Sequence, residues 1–246
     1  MCKTAICFSG ELRSIDKTLP LIKERIFSRF SDYDIFYFTW NDDPDIEKLN
    51  LISDLPQVKK IETSERMVFN VDHFMPTPIL SGNPQGVLRQ FFCLKQTHSL
   101  RNQYEYDTNI KYDIVVHIRP DLFILNDTYL DQDIESKDMN DIYKLDHDNW
   151  RGYSDRFYIS NAKNMDIICH RFDQYRKYSL MGAVRPYEEY LKFIIDINDM
   201  KVKDLQLKTC LLRTDGQLLG EEISIMNGEL VKINGRLCHE RLKYFI

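Results

Sequence analysis

Arg119-Pro120-Asp121 sets a guanidinium and a carboxylate two residues apart at the end of a β-branched run, Ile114 to Ile118. Proline has no backbone N–H and a fixed φ, so it ends a ladder where it stands. Both charged groups therefore arrive together at the carboxyl end of a buried strand, the place where open α/β sheets bind ligands. An aspartate beside an arginine there suits a diphosphate, held directly by Arg119 or through a metal on Asp121. The structural alternative is an ion pair that closes the strand end and does nothing else.

A second loop has the same character. Ser9-Gly10-Glu11-Leu12-Arg13-Ser14 follows the first apolar run, Thr4 to Phe8, and leads into a helical pattern. Gly10 permits close backbone approach and Arg13 can pair with phosphate. The loop lacks the Gly-Lys-Ser/Thr of a Walker loop and is not a GxGxxG turn. Its alternative role is a turn with a helix cap by Ser9 or Ser14.

Two acidic candidates come later. Asp155, in Ser154-Asp155-Arg156-Phe157, can accept a proton from an attacking hydroxyl; otherwise it is an edge-strand charge facing water. Glu188-Glu189 follows Pro186 and opens a helix, where acids also simply complement the dipole. His239 is a candidate metal ligand, although a single histidine is weak grounds for a site.

The elements that position these groups follow from periodicity. Tyr33 to Trp40 reads as a second buried strand, its aromatics in the core, and Val58 to Glu62 as a third. Ile15 to Phe30 reads as a helix with Leu19, Ile22, Ile26 and Phe30 on one face. Residues 63–84, with Pro76, Pro78 and Pro84, read as a surface loop able to cover a site. Gly86 to Tyr106 is a helix with Val87, Leu88, Phe91 and Leu94 inward, and 112–118 is the key strand. Leu122 to Ile124 and Tyr153 to Ser160 are further strands. Ala162 to Tyr178 and Tyr187 to Asn198 are further helices. Beyond residue 200, short apolar runs alternate with turn signals such as Asn227-Gly228. The opening strand–helix–strand pattern predicts a parallel βαβ unit.

Composition narrows the classes. With 246 residues and 43% hydrophobic content the chain can bury a sizeable core, and without repeats or a glycine-rich linker one domain is expected. The net charge of −5 argues against a nucleic-acid partner. Residues 131–148 carry seven acids and two lysines, which accounts for that whole excess. No run approaches a membrane span, and Met1-Cys2-Lys3-Thr4 enters a strand without a signal-peptide core, so a cytoplasmic protein is expected. The six scattered cysteines form no CxxC pair; free thiols are expected, and a zinc site is not supported.

Four local patterns together resemble a GT-A-type glycosyltransferase of bacterial and large-virus polysaccharide biosynthesis. These are Ala5 to Ser14, Asp34 to Trp40, Tyr112 to Leu122, and Ser154 to Phe157 followed by Pro186 to Leu191. The resemblance implies a single GT-A-like, Rossmann-related α/β domain with a mostly parallel twisted sheet flanked by helices. Residues 1–125 would form its nucleotide-sugar half and 126–246 its acceptor half. It implies sugar transfer from a nucleotide-sugar donor to a hydroxyl of a glycan or polysaccharide acceptor. Ser9, Gly10, Arg13, Arg119 and Asp121 would hold the donor, Asp121 and His239 a divalent Mn²⁺ or Mg²⁺, and Asp155 or Glu188 would serve the acceptor. Arg119 stands where the fold's usual Asp-x-Asp has its first acid. An arginine does not ligate a cation, so either Asp121 holds the metal with other help or Arg119 replaces its charge. A non-catalytic nucleotide- or glycan-binding module is the competing class. A nucleotidyltransferase is weaker, since the first loop lacks its extra glycines and lysine.

Overall fold

The computed structural model describes residues 2–75, 83–125, 128–149, 151–180 and 187–214, and the backbone of 218–219, 224–226 and 229–231. It is an α/β fold around a mixed, mostly parallel sheet of seven strands. In chain order these are β1 (Thr4–Ser9), β2 (Tyr33–Trp40), β3 (Val58–Ser64), β4 (Ile114–Ile118), then β6 (Ile142–Leu145), β7 (Phe157–Ser160) and β8 (Val202–Leu205). β5 (Leu122–Ile124) leaves the sheet to pair with β9 (Thr209–Leu212), which pairs in turn with β10 (Leu218–Leu219). The large sheet runs β3-β2-β1-β4-β7-β6-β8, and β7 alone is reversed.

β1 carries the core because it is apolar on both faces, as a central parallel strand must be. Ile6 and Phe8 join Leu19, Ile22 and Ile26 of helix α1 (Ile15–Arg25) and the turn after it on one side. Ala5 and Cys7 join Leu94, Ile168 and Leu191 on the other. Short turns α2 (Asn50–Ser53) and α3 (Val71–Phe74) precede the long α4 (Pro84–Thr108), which contributes Leu94. α4 starts with Asn83 accepting the Gln85 N–H at 3.1 Å and Pro84 in the first turn, and ends at Asn109 with φ of 58°. These are the expected start and stop of a helix. α5 (Ala162–Cys169) and α7 (Tyr187–Ile197) complete that layer, with α6 (Arg171–Leu180) between them in sequence.

Most expected elements are present. Residues 33–40 form a strand throughout, with Phe36, Tyr37, Phe38 and Trp40 buried, and the four inward residues named for 86–106 are buried. Four expectations need correction. The first helix stops at Arg25; a tighter turn at 27–29 swings Phe27 to 6.1 Å from the Phe8 ring. The expected 162–178 helix breaks at His170, and the new helix begins with a buried Arg171. The strand expected from Tyr153 starts only at Phe157. The Tyr153 N–H donates to the Glu188 carbonyl and the Ser154 N–H to Asn149 Oδ1, which takes that stretch out of the ladder. Within 63–84, Ser64 ends β3, residues 71–74 form a helical turn, and α4 begins at Pro84; Pro76 and Pro78 lie outside the described residues.

Within the single expected domain, the stretches before and after residue 125 share one sheet. β6, β7 and β8 join the sheet begun by β1, and β9 pairs with β5 across that point. Among the described residues no helix is long and apolar enough to cross a membrane. Cys2, Cys7, Cys93, Cys169 and Cys210 are free thiols; burial pushes that of Cys7 up to about 12. Cys238 lies outside the described residues.

Candidate functional site

β1 has β2 on one side and β4 on the other, so the chain's winding reverses between β1 and β4. A crevice opens at the carboxyl ends of such a strand pair, because the two connections leave in opposite directions. The register aligns Phe8 with Ile118, so the loops after β1 and β4 emerge side by side. A cavity of about 300 Å³ lies there, bordered by Ser9, Gly10, Arg13, Arg119 and Asp121. All five expected donor-side residues are thus brought to one place.

Asp121 ties the two loops together. It is 1% exposed. Arg119 grips it with two parallel bonds, Nε to Oδ1 and Nη2 to Oδ2, both 3.0 Å. Arg13 Nη1 donates to Oδ2 at 2.6 Å, and Arg213 Nη1 lies 3.7 Å from the same oxygen. Burial alone would raise the Asp121 pKa, but Arg119 and Arg13 outweigh it and hold the carboxyl well below its usual range. Arg213 is pushed down to about 10 by burial and then by Arg13, against the pull of Asp121. The ion pair expected as the structural alternative is therefore present, embedded in a larger cationic cluster.

The first loop is held in an unusual shape. Gly10 has φ of 114° and Arg13 φ of 37°. A left-handed Arg13 is costly by about 1–3 kcal/mol unless its surroundings over-determine it. They do: Lys48 Nζ donates to the Arg13 carbonyl at 2.7 Å, Tyr37 Oη to the Gly10 carbonyl at 2.9 Å, and the Leu12 N–H to Asp43 Oδ2 at 2.8 Å. Ser14 precedes α1 but does not cap it with its side chain; its hydroxyl donates to the Leu212 carbonyl and anchors β9.

The acidic candidates lie at the same end of the sheet. β7 is antiparallel to β4, so its first residue, Phe157, faces Ile118. The Arg119 N–H donates to the Arg156 carbonyl at 3.2 Å. Asp155 is consequently adjacent to the arginine cluster and is 3% exposed, accepting from Gln90 of α4. β7 is interior, between β4 and β6, which overturns the expectation of an edge-strand charge in water. Glu188, in the first turn of α7, is half-buried nearby. Burial and then the Asp155 carboxylate push its pKa up to about 7. Gly152 permits this approach: a Cβ there would fall 1.9 Å from the Glu188 carbonyl oxygen.

His239 lies outside the described residues. Around Asp121 both carboxylate oxygens accept guanidinium N–H groups, so a cation held there would share them with Arg119 and Arg13. Among the described residues no three His, Cys, Asp or Glu side chains gather as a metal site.

Several cavity residues carried no sequence signal. Arg66 pairs with Glu11 at 2.6 Å from beyond the end of β3, and Gln90, Arg89 and Arg171 come from helices. Only the position of Gln90 beside inward-facing Phe91 hinted at a role.

No curated protein matches this chain. A family model described as a domain of unknown function, DUF7796, matches residues 1–217, which include every described group of the cavity and both acids beside it. The chain belongs to the DUF7796 family.

Proposed function

We propose that this protein is a GT-A-type glycosyltransferase that moves a sugar from a nucleoside-diphosphate donor to a hydroxyl of a glycan acceptor, within polysaccharide assembly. The single observation that carries this reading is the placement of a cationic cluster and a tunable acid pair side by side at the switch point of the sheet.

The chemistry needs both. Breaking the anomeric C–O bond sends its electron pair to the diphosphate and leaves positive charge on the sugar. Fixed guanidiniums beside the diphosphate stabilise that leaving group without reorganising. Arg13 and Arg119 are fixed in this sense, since Asp121 orients both. In this reading Arg119 supplies charge that the fold's usual metal would provide. In an inverting transfer the acceptor oxygen bonds to the anomeric carbon as its proton passes to a carboxylate. Glu188 suits that role, because a base with a pKa near working pH combines a populated ionised form with useful basicity. Asp155 then acts as the neighbouring charge that tunes it.

The test is thermal-shift screening of the whole chain against UDP-, GDP-, CMP- and dTDP-sugars, each with and without Mn²⁺. A specific donor at a hundredfold excess over Kd adds ~2.7 kcal/mol of stability. The expected result is a shift with one nucleotide class that persists without Mn²⁺ and is lost in Arg119→Ala. A shift only with Mn²⁺ would return the metal to Asp121 and overturn the role given to Arg119. No shift with any donor in a folded sample would favour a glycan-binding module.

A further inference from the structure

Three arginines that border the cavity are already paired with acids. Asp121 holds Arg119 and one nitrogen of Arg13. Asp42, in the turn after β2, holds Arg66, whose Nε donates to its two oxygens at 3.0 and 3.2 Å. Glu11 stands between Arg13 and Arg66. Its Oε2 accepts from Arg13 Nε at 3.1 Å and lies 3.0 Å from Nη2, and its Oε1 accepts from Arg66 Nη1 at 2.6 Å. One carboxylate thus bridges two guanidiniums that come from different loops, after β1 and after β3. Phosphate oxygens take the same guanidinium edges.

The three acids differ in how firmly they are held. Asp121 is buried and gripped from several sides. Asp42 does not border the cavity, and its side chain is 54% exposed. Glu11 does border it, its side chain is 29% exposed, and among the described residues its carboxylate pairs with these two arginines alone. Burial would raise the Glu11 pKa, but Arg13 and Arg66 outweigh it and lower it, so Glu11 is an anion at neutral pH.

Neither arginine depends on Glu11 for its place. Asp121 fixes the Arg13 side chain and Lys48 holds the Arg13 carbonyl. The stretch that carries Arg66 is pinned to α4. Arg89 Nε donates to the Met67 carbonyl at 3.0 Å, and Gln85 accepts the Phe69 N–H at 3.1 Å and donates to the Phe69 carbonyl at 2.6 Å. The backbone on both sides of Glu11 is fixed as well, by Tyr37 on the Gly10 carbonyl and by Asp43 on the Leu12 N–H. Glu11 can therefore leave by rotation about its own side-chain bonds, with the loop and both guanidiniums staying set. Such a pair of guanidiniums is preorganised for an anion.

We propose that Arg13 and Arg66 form a phosphate subsite of the cavity and that Glu11 is its built-in occupant, displaced when a ligand phosphate binds. This rests on the nucleotide-sugar reading above for the identity of the ligand, and it adds Arg66 to the residues that hold the diphosphate. A diphosphate wins the exchange because it brings two negative charges where Glu11 brings one.

Titration calorimetry of the whole chain with inorganic pyrophosphate, UDP and GDP tests it. Glu11→Gln keeps the side-chain shape and removes the charge. It should bind pyrophosphate and the accepted nucleoside diphosphate about tenfold more tightly than the native protein, and Glu11→Ala, as a second variant, should show the same gain. Combining Glu11→Gln with Arg66→Gln should return the Kd to within roughly threefold of the native value. Asp42→Asn removes the same charge away from the cavity and should give no gain. Native or weaker affinity in the Glu11 variants would overturn the inference, because Glu11 would then support Arg13 rather than occupy a ligand's place. A gain that survives loss of Arg66, or that Asp42→Asn reproduces, would also overturn it, since general repulsion would account for it. Tighter binding of pyrophosphate without binding of UDP or GDP would uphold the subsite and overturn the nucleotide-sugar reading. Failure of every probe to bind the native protein and the variants would overturn both.

Discussion

Two carboxylates at the same end of the sheet are in opposite electrostatic states. Asp121, after β4, is buried among three arginines, and its carboxyl is held well below the usual range. Glu188, at the start of α7, is pushed up to about 7 by burial and by Asp155. Desolvation raises both; the sign of the neighbouring charge decides the outcome. One end of the site is therefore a permanent anion that organises cations, and the other can exchange a proton near neutral pH. A group transfer with a charged leaving group and a hydroxyl nucleophile needs that asymmetry.

The largest expected effect tests the proton-exchanging end. Asp155→Asn and Glu188→Gln should each lower the rate of sugar transfer by about 10²–10⁴-fold while donor affinity stays within a few-fold. Single-turnover assays with radiolabelled donor, beside calorimetry, separate the two quantities. If both variants transfer sugar at the native rate, the acid pair is structural and the contrast with Asp121 has no catalytic meaning.

Next comes Asp121→Ala, which strands three guanidiniums around a missing acid. Removing one partner of a buried ion pair costs about 3–5 kcal/mol. Urea unfolding should show that loss, and Asp121→Asn should recover part of it because it keeps the shape. A stability change under about 1 kcal/mol, the scale of an exposed pair, would mean that the arginines are solvated well enough without the aspartate.

The pH dependence sharpens the comparison in a smaller range. The folded state binds the Glu188 proton more tightly than the unfolded chain, whose glutamates titrate near 4.5. The contribution is therefore full below about pH 4.5 and is lost as pH rises through about 7, a span worth on the order of 1–3 kcal/mol. Asp121 contributes in the opposite sense: its depressed pKa favours folding above the ordinary aspartate pKa and is lost only on strong acidification. Denaturation across pH 4–8 should show the Glu188 component in the native protein and its absence in Glu188→Gln. A matching slope in the two would remove Glu188 as the titrating group.

The smallest effect concerns the loop that carries Arg13. At φ of 114° Gly10 resists a side chain, yet an added Cβ would meet only Pro120 Cδ at 4.0 Å. Gly10→Ala should thus cost about 1 kcal/mol through backbone strain alone and weaken donor binding by displacing Arg13. Thermal melts with and without nucleotide distinguish the two components.

How much of this was legible beforehand differs between the two ends. The arginine side was readable because local sequence specifies it: apolar runs end abruptly at Ser9-Gly10 and at Arg119-Pro120-Asp121, and strand ends are where side chains leave the core. The acid side was only half legible. Asp155 was visible as a charge near a strand, but the acid-flanked stretch Ile142–Leu145 gave no sign that β6 would cover β7 and make Asp155 interior. β6 is short, and its buried Lys144 is paired with Asp204 of β8, far along the chain. β8 escaped notice for the same reason. Neither strand has the apolar periodicity that marks an independent element; each is a strand because its neighbours supply the ladder.

The residues alone determined that the chain makes a βαβ-type core, where its first, second and fourth strands lie, and that two charged loops follow strands one and four. Those features are set by backbone rules and by hydrophobic period over short stretches of chain. Tertiary structure alone decided which charges meet. It put Arg13 and Arg213, from opposite ends of the described chain, on the same carboxylate, set Glu188 against Asp155, and turned Arg171 into the cavity. Charge states in a buried site depend on distance in space and on exclusion of water, and neither quantity is written in the order of residues along the chain.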